Sequence, residues 1–243
     1  MKQQRPALRL IFFYGKGGAG KDTEAERIVR DNPGWAIIST GDRIKQARSP
    51  DDELHSVIAP YEYLIDQGIN LPMTVIINPQ EPEKSIIPSF IAAEIRKGTS
   101  AIISTGFPRT REQLDALDAY LRKLGQQGYD VTDEHFYFDV SDETSLKRIL
   151  GRPAEYKALG KPVRSDDTET AARKRLEVFI SDTLPVVDEL RTRGRILEIS
   201  GEGTKDQTHS LVEEALFPKP ALEISPLGGE GSYVTERPLA ERK

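Results

Sequence analysis

The chain has 243 residues, 37% apolar and 30% charged, with no cysteine and a formal net charge of −5. This is ordinary globular usage for one large domain with insertions; it excludes collagenous or wholly disordered chains, disulfides and thiolate metal sites, and argues against broad nucleic-acid binding. No apolar run approaches the thickness of a bilayer, and the short stretch behind Lys2, Arg5 and Arg9 runs into glycines, unlike a secretory signal. The expectation is a cytoplasmic protein with no membrane partner. Three scattered histidines, His55, His135 and His209, do not build a zinc centre, so no zinc is expected and solvated or core positions are the favoured reading.

Ala7 to Tyr14 is a run of β-branched, aromatic and leucine residues that ends in glycines, the pattern of a buried parallel strand. Gly15 to Gly20 make a turn, and Lys21 to Arg30, free of proline and glycine, read as a helix stopping near Asn32-Pro33-Gly34. Trp35 to Thr40, Ser100 to Thr105, His135 to Val140 and Arg195 to Ser200 are further short hydrophobic stretches, each followed by polar or glycine-containing sequence and then helical spacing. Five strands alternating with helices predict an α/β fold, a mostly parallel sheet covered on both faces, with ligands beyond the carboxyl ends of the strands. Asp42 to Lys97 is too long for one crossover helix, and Gly151 to Asp167 reads as a polar loop between helices. Both are expected as insertions in one domain spanning 1–217. Asp166 to Arg193 reads as one helix or two, with Pro185 allowing a kink. The prolines and glycines after Leu216 predict a tail, 218–243, that is flexible or packed as an extended strap.

The strongest local signal is Gly15-Lys16-Gly17-Gly18-Ala19-Gly20-Lys21-Asp22-Thr23, placed between the first strand and the first helix. The G-x-x-x-x-G-K spacing in strand-loop-helix context fits a phosphate-binding loop. Glycines let consecutive N–H groups curl around phosphate oxygens, the helix N-terminus adds partial positive charge, and Lys21 supplies a mobile full charge. Asp22 departs from the usual Ser/Thr.

Further phrases come in order: Ser39-Thr40-Gly41-Asp42; Gly106-Phe107-Pro108-Arg109-Thr110 with Gln113; Arg148 and Arg152; Arg164-Ser165-Asp166-Asp167 with Arg175. Together with the loop they resemble the adenylate kinase family of nucleoside monophosphate kinases, from about Leu10 to Leu216. The resemblance implies a five-stranded P-loop kinase fold with a mobile acceptor-binding region at about 42–97 and a short lid at about 151–167. It also implies MgATP plus AMP giving two ADP by direct in-line transfer, with ATP, AMP and ADP as the partners of a monomer. Gly15, Gly18, Ala19, Gly20, Lys21, Asp22 and Thr23 would cradle ATP phosphates, with Arg148 against the donor adenine and Arg152 also on the donor. Lys21, Arg109, Arg152, Arg164 and Arg175 would be catalytic. On the AMP side the resemblance implies Thr40 and Gln113 for the base, Arg109 for the α-phosphate, and Lys45, Leu71, Gly106, Arg164 and Arg175 around them. Arginine forks suit this chemistry, which needs two polyanions held in line and their charge neutralised.

Three departures stand out. Thr105 occupies the strand end where the family usually has the aspartate that holds magnesium through water, Lys45 replaces an acceptor arginine, and Asp22 puts a negative charge inside the loop. Lys45 cannot make the same bidentate contact. Either Asp22 supplies the magnesium-side carboxylate that Thr105 lacks, with Asp42 as a second one through water, or it sits at the helix start because the dipole favours it there. Two rival functions stay open: a kinase for another nucleoside monophosphate, separable by titrating four acceptors, and a nucleotide-binding regulatory module without turnover.

Overall fold

Strand β1 (Ala7–Tyr14) is apolar at almost every position because it lies in the middle of a five-stranded sheet with helices over both faces. The structure, a computed structural model, describes residues 5–67, 69–160 and 168–218. The other strands are β2 (Trp35–Ser39), β3 (Ala101–Thr105), β4 (Asp130–Asp139) and β5 (Ile196–Ser200), and the order across the sheet is β2-β3-β1-β4-β5. Every pairing is parallel, with Phe13 opposite Thr105 on one side and Phe136 on the other.

The alternation along β1 divides the core. Leu8, Leu10, Phe12 and Tyr14 join one cluster with Ile86, Ile87, Ile91, Leu114, Leu117, Val186, Val187 and Leu190. Ile11 and Phe13 join the other with Ala25, Ile28, Val212 and Leu216. The helices that carry these residues are, in chain order among all of them, α1 (Lys21–Asp31), α2 (Thr40–Ala47), α3 (His55–Ile58), α4 (Glu62–Asp66), α5 (Met73–Ile76), α6 (Ile86–Lys97), α7 (Arg111–Gln126), α8 (Asp142–Ala158), α9 (Glu169–Val178), α10 (Leu184–Thr192) and α11 (Lys205–Leu216). Each fully buried large side chain contributes about 1.5–3 kcal/mol of transfer free energy, so both faces of β1 hold the phosphate loop's strand in place.

The long segment between β2 and β3 is a string of short helices closed by α6. Its Leu54, Ile58, Leu71, Val75, Ile76 and Ile77 are buried in the same cluster as Phe12.

The five expected strands are present, with three differences nearby. Thr40 opens α2 rather than ending β2, because the Ser39 hydroxyl accepts the Asp42 N–H at 3.4 Å and caps the helix. Strand β4 begins at Asp130 rather than His135: its polar residues are neutralised from elsewhere, Glu134 by Arg9 at 2.8 and 3.0 Å and Asp133 by Arg195. The polar loop expected from Gly151 is helical as far as Ala158: Pro153 lies inside α8, where it lacks an N–H and crowds the carbonyl one turn back, and the helix-forming residues Ala154 to Ala158 carry the helix on.

The stretch ahead of Pro185 is neither one regular helix nor two. A π-helical turn, Phe179–Thr183, joins α9 to α10 and leaves Pro185 in the first turn of α10, where its missing N–H is tolerated. Of the buried histidines, His135 lies between Tyr14 Oη and Asp133, both at 2.8 Å, and His209 meets Glu24 at 2.6 Å. Arg164 and the rest of 161–167 lie outside the described residues, as do 219–243, where the tail was expected.

Candidate active site

The glycine loop leaves the carboxyl end of β1 and delivers the chain into α1 with Gly20 as the residue before the helix. Two glycines there admit no side chain. At Gly15 (φ +143°) a Cβ would stand 2.6 Å from the Phe138 carbonyl oxygen, and at Gly18 (φ +75°) 2.9 Å from that of Ser145. The loop is pinned from the α8 side: Ser145 Oγ donates to the Gly17 carbonyl at 2.7 Å, and Arg148 donates to Gly18 O at 3.4 Å and to Gly203 O at 3.3 Å. Lys16, to which sequence reasoning gave no role, donates to Val140 O at 2.7 Å and pairs with Asp142 at 2.6 Å.

Lys21 folds back over the loop, its Nζ donating to Gly15 O at 2.6 Å and to Lys16 O at 2.8 Å. Burial pushes this ammonium down to about 8; the Asp22 carboxylate opposes the shift, and Arg109 and Arg152 reinforce it. Lys21, Asp22, Arg109 and Arg152 therefore share one electrostatic neighbourhood, although they come from α1, the β3–α7 loop and α8. Asp22 and Thr23 are exposed in the first turn of α1, and Ala19 is buried.

On the other side of β1, Arg109 leaves the loop after β3. Its Nε donates to Gly106 O at 2.9 Å, its backbone N–H donates to Gln113 Oε1 at 2.8 Å, and Nη1 reaches Asn70 Oδ1 at 3.4 Å. The next residue, Thr110, caps α7 by accepting the Gln113 N–H at 3.3 Å, which sets where the arginine points relative to the helix. Arg109 is open to solvent, yet the protein packed around it lowers its pKa, with Asp22 and Asp182 opposing that shift. Arginine remains charged under any such shift.

The remaining expected residues divide. Thr40 is buried and its hydroxyl has no hydrogen-bond partner. Gln113 is 3% exposed with its oxygen already engaged. Leu71 is buried in the core cluster. Asp42 and Lys45 pair with each other at 3.3 Å on the exposed face of α2. Arg175 directs its Nε back to the Ala171 carbonyl at 3.3 Å, along its own helix. Thr105 ends β3 at 3% exposure, in register with Phe13 and Ser39.

No group of three or more histidines, aspartates and glutamates among the described residues could hold a metal by itself. One or two carboxylates beside bound phosphates are the donor set magnesium usually takes; Asp22 is exposed at the start of α1 and Asp42 at the start of α2. Asn70, Asp182 and Lys16 are the residues here that sequence reasoning did not single out. Lys16 sits at a variable position of the loop phrase, and Asn70 and Asp182 carry no local sequence signal, since each is defined by a partner from a distant segment.

The adenylate kinase family model matches residues 13–195. A Phocaeicola vulgatus adenylate kinase is 35% identical over 196 residues, covering 81% of this chain and 92% of that protein. A Maricaulis maris adenylate kinase is 32% identical over 86% of the chain and 99% of its own length, and a Deinococcus deserti adenylate kinase 31% identical over 84% and 94%.

Proposed function

The chain belongs to the adenylate kinase family, and from that premise we propose that it transfers the γ-phosphoryl group of ATP to AMP, reversibly, forming two ADP. The observation that carries this reading is that Arg109, held to Gly106 beyond β3, and Arg152 of α8 both act on the charge of Lys21 at the end of the phosphate loop. Lys21 follows the charge on the donor while the Arg109 fork takes the acceptor phosphate, so two mutually repelling polyanions are held together. The acceptor is already anionic near neutral pH, so no general base is required. Arg152, Arg164 and Arg175 complete the positive surround on this reading.

Donor phosphates rest on the loop's N–H groups and the start of α1, with Gly15, Gly18, Ala19, Gly20 and Thr23 shaping the cradle and Arg148 forming its outer wall. Magnesium bound with ATP would screen the β- and γ-phosphates, and Asp22 and Asp42 are the carboxylates proposed to face it. The acceptor base is assigned to Thr40, whose buried hydroxyl has no partner, and to the amide nitrogen of Gln113. Lys45, Leu71 and Gly106 line the acceptor side. Within a 1–217 kinase domain, 42–97 would hold the acceptor and 151–167 would cover the donor. No described helix is long and apolar enough to cross a membrane. The proposed unit is a monomer, since one chain supplies every group named, and the proposed setting is the cytoplasm.

The test is ADP formation from ATP, magnesium and each of AMP, CMP, UMP and GMP, beside a magnesium-free reaction and Lys21→Ala. Magnesium-dependent ADP with AMP, lost in the variant, is the expected result. Preference for another monophosphate would reassign the acceptor, and ATP binding without ADP would replace the kinase by a binding module.

A further inference from the structure

Arg109 is held by more than its own loop. Asn70, between α4 and α5, donates from Nδ2 to Asp182 Oδ2 at 2.6 Å and accepts from Arg109 Nη1 at 3.4 Å through Oδ1. Asp182 is in turn fixed by Ser181 Oγ, which donates to its other oxygen at 2.6 Å. Three segments remote in sequence meet here: the acceptor-side insertion, the loop after β3, and the π turn after the helix of Arg175.

The chemistry of the chain of contacts is specific. A guanidinium only donates and a carboxylate only accepts, so a side chain linking them in series must present an acceptor to the first and a donor to the second. An amide does this and leucine does not. Asp182 can occupy its place because of the π turn: one extra residue in the helix rotates the succeeding side chains by about 100° relative to a regular α-helix. Asn70 is also a polar residue among apolar ones, between the exposed Ile69 and the buried Leu71, so its polarity answers to Arg109 and Asp182 rather than to its neighbours.

We infer that Asn70 and Asp182 are positioning residues that orient the Arg109 guanidinium for the acceptor phosphate and thereby set acceptor affinity, an inference that rests on the kinase reading above. The Nε bond to Gly106 and the Asn70 contact hold two edges of the fork, and Nη2 donates to no group among the described residues. Through Asn70 the Asp182 carboxylate stands one side chain away from the guanidinium, and its charge opposes the lowering of the Arg109 pKa by burial. The Asn70 contact can persist when a phosphate takes the Nη2 edge, so both act on one fork.

The experiment measures KM for AMP and for ATP, kcat and melting temperature in Asn70→Leu, Asn70→Gln, Asp182→Asn and Asp182→Glu, with Asn70→Leu repeated in an Arg109→Lys background. The expected result is an AMP KM raised about tenfold in Asn70→Leu, the scale of one charge-assisted hydrogen bond, and less in Asp182→Asn. ATP KM stays within about twofold, the Gln and Glu variants recover part of the loss, and Asn70→Leu adds little once Arg109 is lysine. An unchanged AMP KM, a parallel rise for both nucleotides, or the full effect persisting in the lysine background overturns the inference. Should Asn70→Leu fail to fold, the isosteric Asp182→Asn decides alone. Calorimetric titration of the four monophosphates separates this from the kinase reading. Binding by wild type without turnover defeats the kinase alone, equal affinity in wild type and Asn70→Leu defeats the positioning role, and no binding of any monophosphate defeats both.

Discussion

Around Gly15 to Lys21 the contacts run mostly to main chain, the Lys16–Asp142 pair apart, whereas around Arg109 and Lys45 several run between side chains. Lys21, Lys16, Ser145 and Arg148 all donate to backbone carbonyls, and two of the loop's glycines would clash with backbone if they carried a Cβ. Across the cleft, Lys45 is held by Asp42 and one edge of Arg109 by Asn70. A cradle tied to main chain has its shape before the ligand arrives. Exposed ion pairs, worth at most about 1 kcal/mol, exchange readily for a phosphate. On the function proposed above, the donor side is thus preformed, and on the acceptor side the Lys45–Asp42 pair is the contact a phosphate would replace.

The largest effect should come from the one mobile charge of the preformed half. Lys21→Ala is expected to lower kcat by ~10²–10³-fold with little change in melting temperature; a loss below tenfold would make the backbone cradle sufficient. Next comes Asp22, the negative charge in that cradle. If it faces magnesium, Asp22→Ser loses about tenfold in magnesium-dependent turnover, and Asp22→Gly combined with Thr105→Asp recovers it in a magnesium titration. Undiminished activity in Asp22→Ser would leave Asp22 only its place at the helix start.

A smaller effect comes from pH. Free Lys21 loses its proton near pH 8, and phosphate favours the charged form, so ATP binding should take up protons above that value and weaken as pH rises. Calorimetry in two buffers of different ionisation enthalpy at about pH 8.5 reads the uptake directly, and no uptake there would show that Lys21 keeps its proton without ligand. The smallest change is expected at Lys45: replacement by arginine should lower AMP KM about two- to threefold by offering a bidentate fork, with ATP KM unmoved. A shift in ATP KM instead would blur the division between the two halves.

Sequence made some of this legible and hid the rest for identifiable reasons. Ala7–Tyr14 reads as a strand because it is buried on both faces, and the glycine loop reads as a phosphate site because its whole logic is local. The first residues of β4 do not, because Asp133 and Glu134 are neutralised by Arg195 and Arg9 from far along the chain. Helix α8 runs on past Gly151 and Pro153 to Ala158, through helix-forming residues that a reading for breakers discounts. Arg109 is reachable through its phrase and the family resemblance, but Asn70 and Asp182 are not. Their pairing depends on a π turn that no periodicity announces.

The parallel register of β1 also bears on how the chain reaches its native state. Phe13 has no partner until Thr105 and then Phe136 have been made. At ~5–20 residues per second of synthesis, the strand that carries the phosphate loop waits on the order of ten seconds with Ile11, Phe12 and Phe13 unpaired. Non-local pairing of this kind slows folding and leaves apolar sequence open to other chains. ATP is no help during that interval, because a ligand stabilises only a site that already exists. Nucleotide can protect the finished enzyme, but the nascent one depends on whatever shields its first strand.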